Sequence, residues 1–250
     1  MQVIVDGLLT NYSREGKGKI VIILHGWGDD LRSWRFVSES LSKTYQVILL
    51  DLPGFGGTQS PNSPWGLSDY ASFIAAFLRK LDVNDLYAVI GHSNGGAIAI
   101  RGCADAELKP EKLVLISSAG LRGEYNGRIK AMRMVTKAGR AITSPLPKSV
   151  KQKLRKQVYK SIGSDMLVAE HLQDTFKKIV TDDVRDDATR IQVPTLLLYG
   201  AQDEQTPPYY GQTFKDLIRD SRLILYSKSG HFLQIDRPTE IIKAIREFIS

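Results

Sequence analysis

The segment LYAVIGHSNGGAIAIRG, residues 86–102, sets one serine between an apolar run and an apolar helical pattern. Gly91 stands two places before Ser93, and Gly95 and Gly96 stand two and three places after it. A side chain at a sharp strand-to-helix reversal is lifted clear of the sheet, but on strained backbone. Strand and helix approach so closely there that a side chain two residues to either side would clash. Glycine at Gly91 and Gly95 removes both obstacles. The helix then begins beneath the hydroxyl, and its unpaired amides favour negative charge. These residue types at this spacing fit a serine that attacks a carbonyl, with the oxyanion stabilised at the turn.

A serine hydroxyl is a poor nucleophile at neutral pH. It needs a base to take its proton and a third group to orient that base. The chain has four histidines: His25, His92, His171 and His231. His231, in SGHFLQIDRP, follows the apolar run RLILY and so belongs on the same side of a parallel sheet as Ser93. His171 falls in an amphipathic helical pattern, where a solvated or packed histidine is the common outcome. His25 adjoins a glycine loop. His92 neighbours Ser93, but adjacent residues at a tight turn point apart, which gives it a structural role. The orienting acid belongs on another strand-end loop, and GAQDEQTP offers Asp203, with Glu204 as the alternative. The end of LVLISS carries Ser117 and Ser118 where an acid could also serve. Asp51, in LLDLPGFG, is expected to hold the turn that follows it.

The elements that must position these groups are short apolar runs: QVIV, IVIILHG, QVILLDLPG, LYAVIGHS, KLVLISSAG, VPTLLLYG and RLILYSKSG. They are continuously apolar rather than alternating, as strands covered on both faces are. Helical patterns separate them, in LRSWRFVSESLSK, LSDYASFIAAFLRKL, GGAIAIRGCA, PYYGQTFKDLI and TEIIKAIREFIS. Strand and helix in alternation predict a mostly parallel sheet flanked by helices, with chemistry at the carboxyl ends of the strands. The alternation breaks between about Gly120 and Asp187, where three sets keep helical spacing. They are Ala131, Met134, Val135, Ala138 and Ile142; then Val150, Leu154, Val158 and Ile162; then Leu172, Phe176, Ile179 and Val180. Such an insertion is expected to lie as a cap over the strand ends.

At this point the chain resembles the α/β-hydrolase superfamily over essentially its whole length. GHSNGG resembles the nucleophile elbow, YGAQDEQTP the acid loop and SGHFLQIDRP the histidine loop, in the chain order Ser, Asp, His that the family uses. The resemblance implies a mostly parallel eight-stranded sheet with a helical cap insertion. It divides the chain into a core, 1–119 and 188–250, and a cap, 120–187. It also implies a triad of Ser93, His231 and Asp203. LHGWGDD resembles the loop after the third strand, which implies oxyanion donors at the backbone amides of Trp27 and Asn94. Gly-Trp in place of a triple glycine argues against lipases and esterases of the triple-glycine type. A serine nucleophile, rather than aspartate, disfavours dehalogenases and epoxide hydrolases. The expected activity is hydrolysis of small to medium carboxylic esters, with lactones included, without metal or cofactor. A carbon–carbon bond hydrolase of the same fold and a slow-turnover ligand receptor are the alternatives.

With 250 residues, 42% of them hydrophobic, the chain can bury one large core. Its apolar runs fall far short of the roughly 20 residues of a membrane span, and no stretch reads as a secretory signal. A cytoplasmic protein without stable membrane insertion is therefore expected, with its oligomeric state open. One cysteine, Cys103, excludes an internal disulfide and is expected to be a packing residue. Trp34 and Trp65 are likewise expected to pack, whereas Trp27 is expected in a pocket wall. The formal charge of +7 is local: residues 121–160 hold 12 Lys or Arg and one acid, Glu124, leaving the rest net acidic. Solvated helix faces explain such a run, and attraction of an anionic substrate, a lipid surface or a partner is the sharper alternative. Without aromatic or glycine-rich support, nucleic-acid binding is not expected.

Overall fold

The structure, a computed structural model, describes residues 1–122 and 169–250. Eight strands form one sheet: β1 (Gln2–Val5), β2 (Leu8–Glu15), β3 (Ile20–Leu24), β4 (Gln46–Leu50), β5 (Leu86–His92), β6 (Lys112–Ile116), β7 (Thr195–Gly200) and β8 (Ser221–Tyr226). Their spatial order is β1-β2-β4-β3-β5-β6-β7-β8, with β1–β2 and β2–β4 antiparallel and every other pair parallel.

The apolar runs of the inner strands, β3 to β7, have a direct physical cause. In β3, Ile22 and Leu24 join the core on one face, packed beneath α2 (Leu67–Lys80) and α3 (Asn94–Ala104). Val21 and Ile23 join the opposite core, beneath α1 (Arg35–Leu41) and the C-terminal helix (Pro238–Ile249). A strand with no solvent face needs apolar residues at every position. All seven runs read from the sequence contain strands.

The eighth, β2, was not among them. Its sequence LLTNYSRE alternates, burying Thr10 and Tyr12, because it pairs antiparallel and one face stays partly exposed. The local signal lies one turn earlier, where Asp6 (φ 46°) and Gly7 (φ 80°) form the two-residue Asp-Gly reversal of a hairpin. The expected helix over LRSWRFVSESLSK is also divided, into a 3-10 turn, Leu31–Trp34, followed by α1. Trp34 is buried as expected, and Trp65 packs its ring 5.2 Å from Tyr70 and 5.5 Å from Phe73.

Between β6 and β7 the chain makes its long insertion. The two ends meet: Val184 N donates to Gly120 O at 2.8 Å, and Arg122 N donates to Asp183 Oδ2 at 3.0 Å. The helical sets 131–142 and 150–162, and nearly all of the basic run, lie outside the described residues. The third set is described: Leu172 ends a 3-10 turn, Glu170–Leu172, and Phe176 and Ile179 lie on α4 (Gln173–Ile179). A short helix, α5 (Arg185–Thr189), then returns to the core, where Asp187 Oδ2 meets Arg101 Nε of α3 at 2.7 Å. The remaining helices among the described residues are α6 (Pro208–Leu217), α7 (Leu233–Asp236) and α8 (Pro238–Ile249).

The joint between β5, β3 and α3 is tight. A Cβ on Gly91 would stand 2.6 Å from Gly95 O, and one on Gly95 would stand 2.3 Å from Leu24 O. Neither neighbour is a side chain that can swing away. Gly95→Ala should therefore destabilise the protein by at least ~2 kcal/mol in urea unfolding, the scale of core overpacking. Unchanged stability would contradict the close approach.

Candidate active site

Ser93 follows β5 directly and precedes α3, on backbone at φ 50°, ψ −117°. That conformation costs about 1–3 kcal/mol and persists only where the surroundings enforce it. Here Ser93 N donates to Ile116 O at 3.0 Å, and Ser93 O accepts from Gly96 N at 3.0 Å, Ala97 N at 3.2 Å and Ala119 N at 3.0 Å. The end of β6 thus grips the turn from both sides. Asn94 supplies the first amide of α3, a position with no carbonyl partner inside the helix.

Two neighbouring strand ends bring in the other groups. Asp203 follows β7, and His231 lies between β8 and α7. His231 Nδ1 donates to Asp203 Oδ2 at 2.8 Å, with the carboxylate fully buried and the imidazole nearly so. The two loops are stitched together by backbone, since Ala201 N donates to Tyr226 O at 2.9 Å and Gln202 N to Ser229 O at 2.9 Å. Glu204, the alternative acid, is exposed. Among the described contacts no hydrogen bond joins Ser93 Oγ to His231. Catalytic hydrogen bonds commonly tighten only once substrate is bound.

Burial alone would raise the Asp203 carboxyl. Its hydrogen bond and charge interaction with His231, and the Thr206 amide and hydroxyl, outweigh burial and hold it below the usual carboxylate range. Thr206 was not visible as a site residue in the sequence. Its N–H donates to Asp203 Oδ1 at 2.9 Å, and its hydroxyl lies 2.8 Å from Asp203 Oδ2, 3.1 Å from His231 Nδ1 and 3.0 Å from Ser117 O. Thr206 therefore ties the acid to the end of β6 as well as to the histidine.

His92 is buried and structural, as expected, but it is linked to the site. Its Nε2–H donates to the backbone O of His231 at 3.0 Å, and the two rings lie 4.9 Å apart. Burial, helped by the nearby His231, pushes its imidazole down to about 3. His171 is exposed and bonds Gly54 O at 3.0 Å. Asp51 holds its turn, accepting from Gly57 N, Leu31 N and Asn11 Nδ2, each at 2.8 Å. Cys103 lies half-buried on α3, and burial pushes its thiol up to about 12, which leaves it unreactive.

Trp27 stands on the loop after β3. Its ring lies 4.9 Å from Phe55 and 5.1 Å from Phe176 of α4, so it joins the core to the insertion. The backbone of that loop runs beside the serine, because a Cβ on Gly26 would fall 3.2 Å from Ser93 Cβ. Three strand-end loops and the start of α3 therefore converge at one point of the sheet.

The sequence pattern of the alpha/beta hydrolase family matches residues 21–244. The chain belongs to that family. It is similar to the 2-hydroxy-6-oxo-2,4-heptadienoate hydrolase of Pseudomonas putida, at 26% identity over 99% of this chain and 95% of that protein. It is equally similar to the pimeloyl-[acyl-carrier protein] methyl ester esterase of Legionella pneumophila, at 26% identity over 94% of this chain and 96% of the esterase. Among solved structures, a bacterial membrane phospholipase A shares the fold with TM-score 0.81 and 22% identity, over 100% of this chain and 84% of that one. Fold and triad-like residues indicate a hydrolytic enzyme. No helix among the described residues is long and apolar enough to cross a membrane.

The neutral His92 makes a prediction about acid. Its folded value near 3 lies below the ordinary 6.5, so between these pH values the unfolded chain binds a proton that the native state refuses. Stability should accordingly fall as pH drops below 6.5, by up to ~1.4 kcal/mol per pH unit from this residue. His92→Gln should flatten that acid limb in unfolding measured across pH. Parallel curves for the variant and wild type would contradict it.

Proposed function

We propose that the protein is a serine hydrolase of carboxylic esters, small to medium in acyl chain and including lactones. Ser93 Oγ attacks the ester carbonyl while His231 Nε2 takes its proton. The amides of Trp27 and Asn94 hold the tetrahedral oxyanion, and each contributes about 3 kcal/mol to lowering the barrier. His231 then protonates the departing alcohol, leaving an acyl group on Ser93. A water activated by the same imidazole attacks that ester, the carboxylic acid leaves, and Ser93 regains its proton. Asp203 keeps the Nδ1–H tautomer in place and stabilises the imidazolium.

The observation that carries this reading is the buried 2.8 Å bond between His231 and Asp203, on loops adjoining a strained, glycine-flanked serine. A structural histidine does not require a serine held at φ 50° beside it. The likeness to a methyl ester esterase supports the ester as substrate. The second reading, hydrolysis of a carbon–carbon bond in a vinylogous diketone, is favoured by the equal likeness to a hydrolase of a 2-hydroxy-6-oxo-dienoate. Both chemistries use the same three side chains, so only substrates separate them.

The test is turnover on a panel of p-nitrophenyl esters of increasing chain length, lactones and vinylogous diketones. Esters should be hydrolysed over many turnovers, Ser93→Ala should abolish this, and Asp203→Asn should lower kcat by as much as ~10⁴-fold. Turnover of diketones alone would replace the ester reading with the second one. A single slow turnover on every substrate would instead indicate a receptor.

A further inference from the structure

His25 is buried beneath the loop that carries Trp27, and the triad has no use for it. Its two ring nitrogens have assigned partners. Leu52 N lies 2.9 Å from Nε2, and a backbone amide can only donate, so Nε2 carries no proton. The proton of the neutral ring is then on Nδ1, which lies 2.8 Å from Gly26 O and donates to it. That carbonyl also accepts a longer bond from Asp29 N, at 3.4 Å. Burial pushes the imidazole below its ordinary value against the pull of Asp29 and Asp51, so the ring stays neutral.

Sheet order turns this bond into a direction. β3 lies between β4 and β5. Leu52 follows β4 and Ser93 follows β5, so the His25 ring reaches to one side of β3 and the serine stands on the other. The Gly26–Trp27 peptide is trans, so its C=O and N–H point in opposite directions. A carbonyl drawn toward the β4 side sends the N–H toward the β5 side. We propose that His25 is the positioning residue of the oxyanion donor, its Nδ1–H holding the Gly26 carbonyl so that the Trp27 amide faces Ser93. The inference rests on the proposed function and adds a residue to it.

Two substitutions separate the two bonds, because an asparagine amide reaches only as far as Nδ1 and a glutamine amide as far as Nε2. His25→Asn can keep the bond to Gly26 and loses the one from Leu52, whereas His25→Gln does the reverse. With p-nitrophenyl esters, His25→Gln should lower kcat by ~10²-fold with KM little changed, the scale of losing one oxyanion donor. His25→Asn should stay within about tenfold of wild type. Affinity for a boronic acid, which forms a tetrahedral adduct, should fall in His25→Gln more than affinity for the product acid. Equal kcat losses, or the reverse order, would overturn the inference.

Nitrogen-15 NMR of the wild-type histidines decides the matter if a variant does not fold. A protonated Nδ1 and a bare Nε2 on His25 support the proposal, and the opposite tautomer overturns it. If wild type shows no Ser93-dependent turnover, the proposed function falls and takes this inference with it. If wild type is active and the variants match each other, the inference alone falls.

Discussion

The structure depends on how closely β5, β3 and α3 pack around a single serine. With Gly91 and Gly95 lacking side chains, the helix starts within contact distance of Leu24 O and of the strand it has just left. The chain must then reverse within one residue, and Ser93 takes the left-handed backbone that this requires. Strain of that kind lasts only where other interactions exceed it. The end of β6 provides them through the bonds to Ser93 N and Ser93 O. The same reversal leaves the Asn94 amide without a helical partner directly below the hydroxyl.

A parallel sheet then determines which loops can reach that serine. Strand ends to either side of β5 deliver the Trp27 loop from β3 and, by way of β6, β7 and β8, the acid and the histidine. Backbone bonds between the last two loops fix their spacing before any side chain is considered. Supporting side chains complete the arrangement: Thr206 anchors Asp203 to the end of β6, and His92 anchors the His231 backbone beside the elbow. Each is buried, so each bond acts at low dielectric, where a misplaced partner is costly.

Much of this was legible in the sequence because burial of β3 to β7 on two faces leaves a one-dimensional trace, and the more exposed β1 and β8 carry apolar runs as well. Seven continuous apolar runs became strands, and the residues just beyond three of them hold Ser93, Asp203 and His231. β2 escaped because its sequence, LLTNYSRE, alternates rather than running apolar, and Asp6-Gly7 marks the hairpin that leads into it. The same strand-end loop offers Asp203 and Glu204, and the structure gives Asp203 the bond to His231 while Glu204 stays exposed. The parts played by His25, His92 and Thr206 were not legible. Each depends on a backbone atom distant in sequence, at Leu52, His231 and Ser117, and no local pattern encodes such a partner.

The account stands on Ser93 being a nucleophile activated by His231. The most direct measurement is covalent labelling with a fluorophosphonate, with the site located by peptide mass mapping in wild type and in His231→Ala. The label should fall on the peptide bearing Ser93, one per chain, and its rate should collapse in the variant. A label on another residue, or an unchanged rate without the imidazole, would contradict the account.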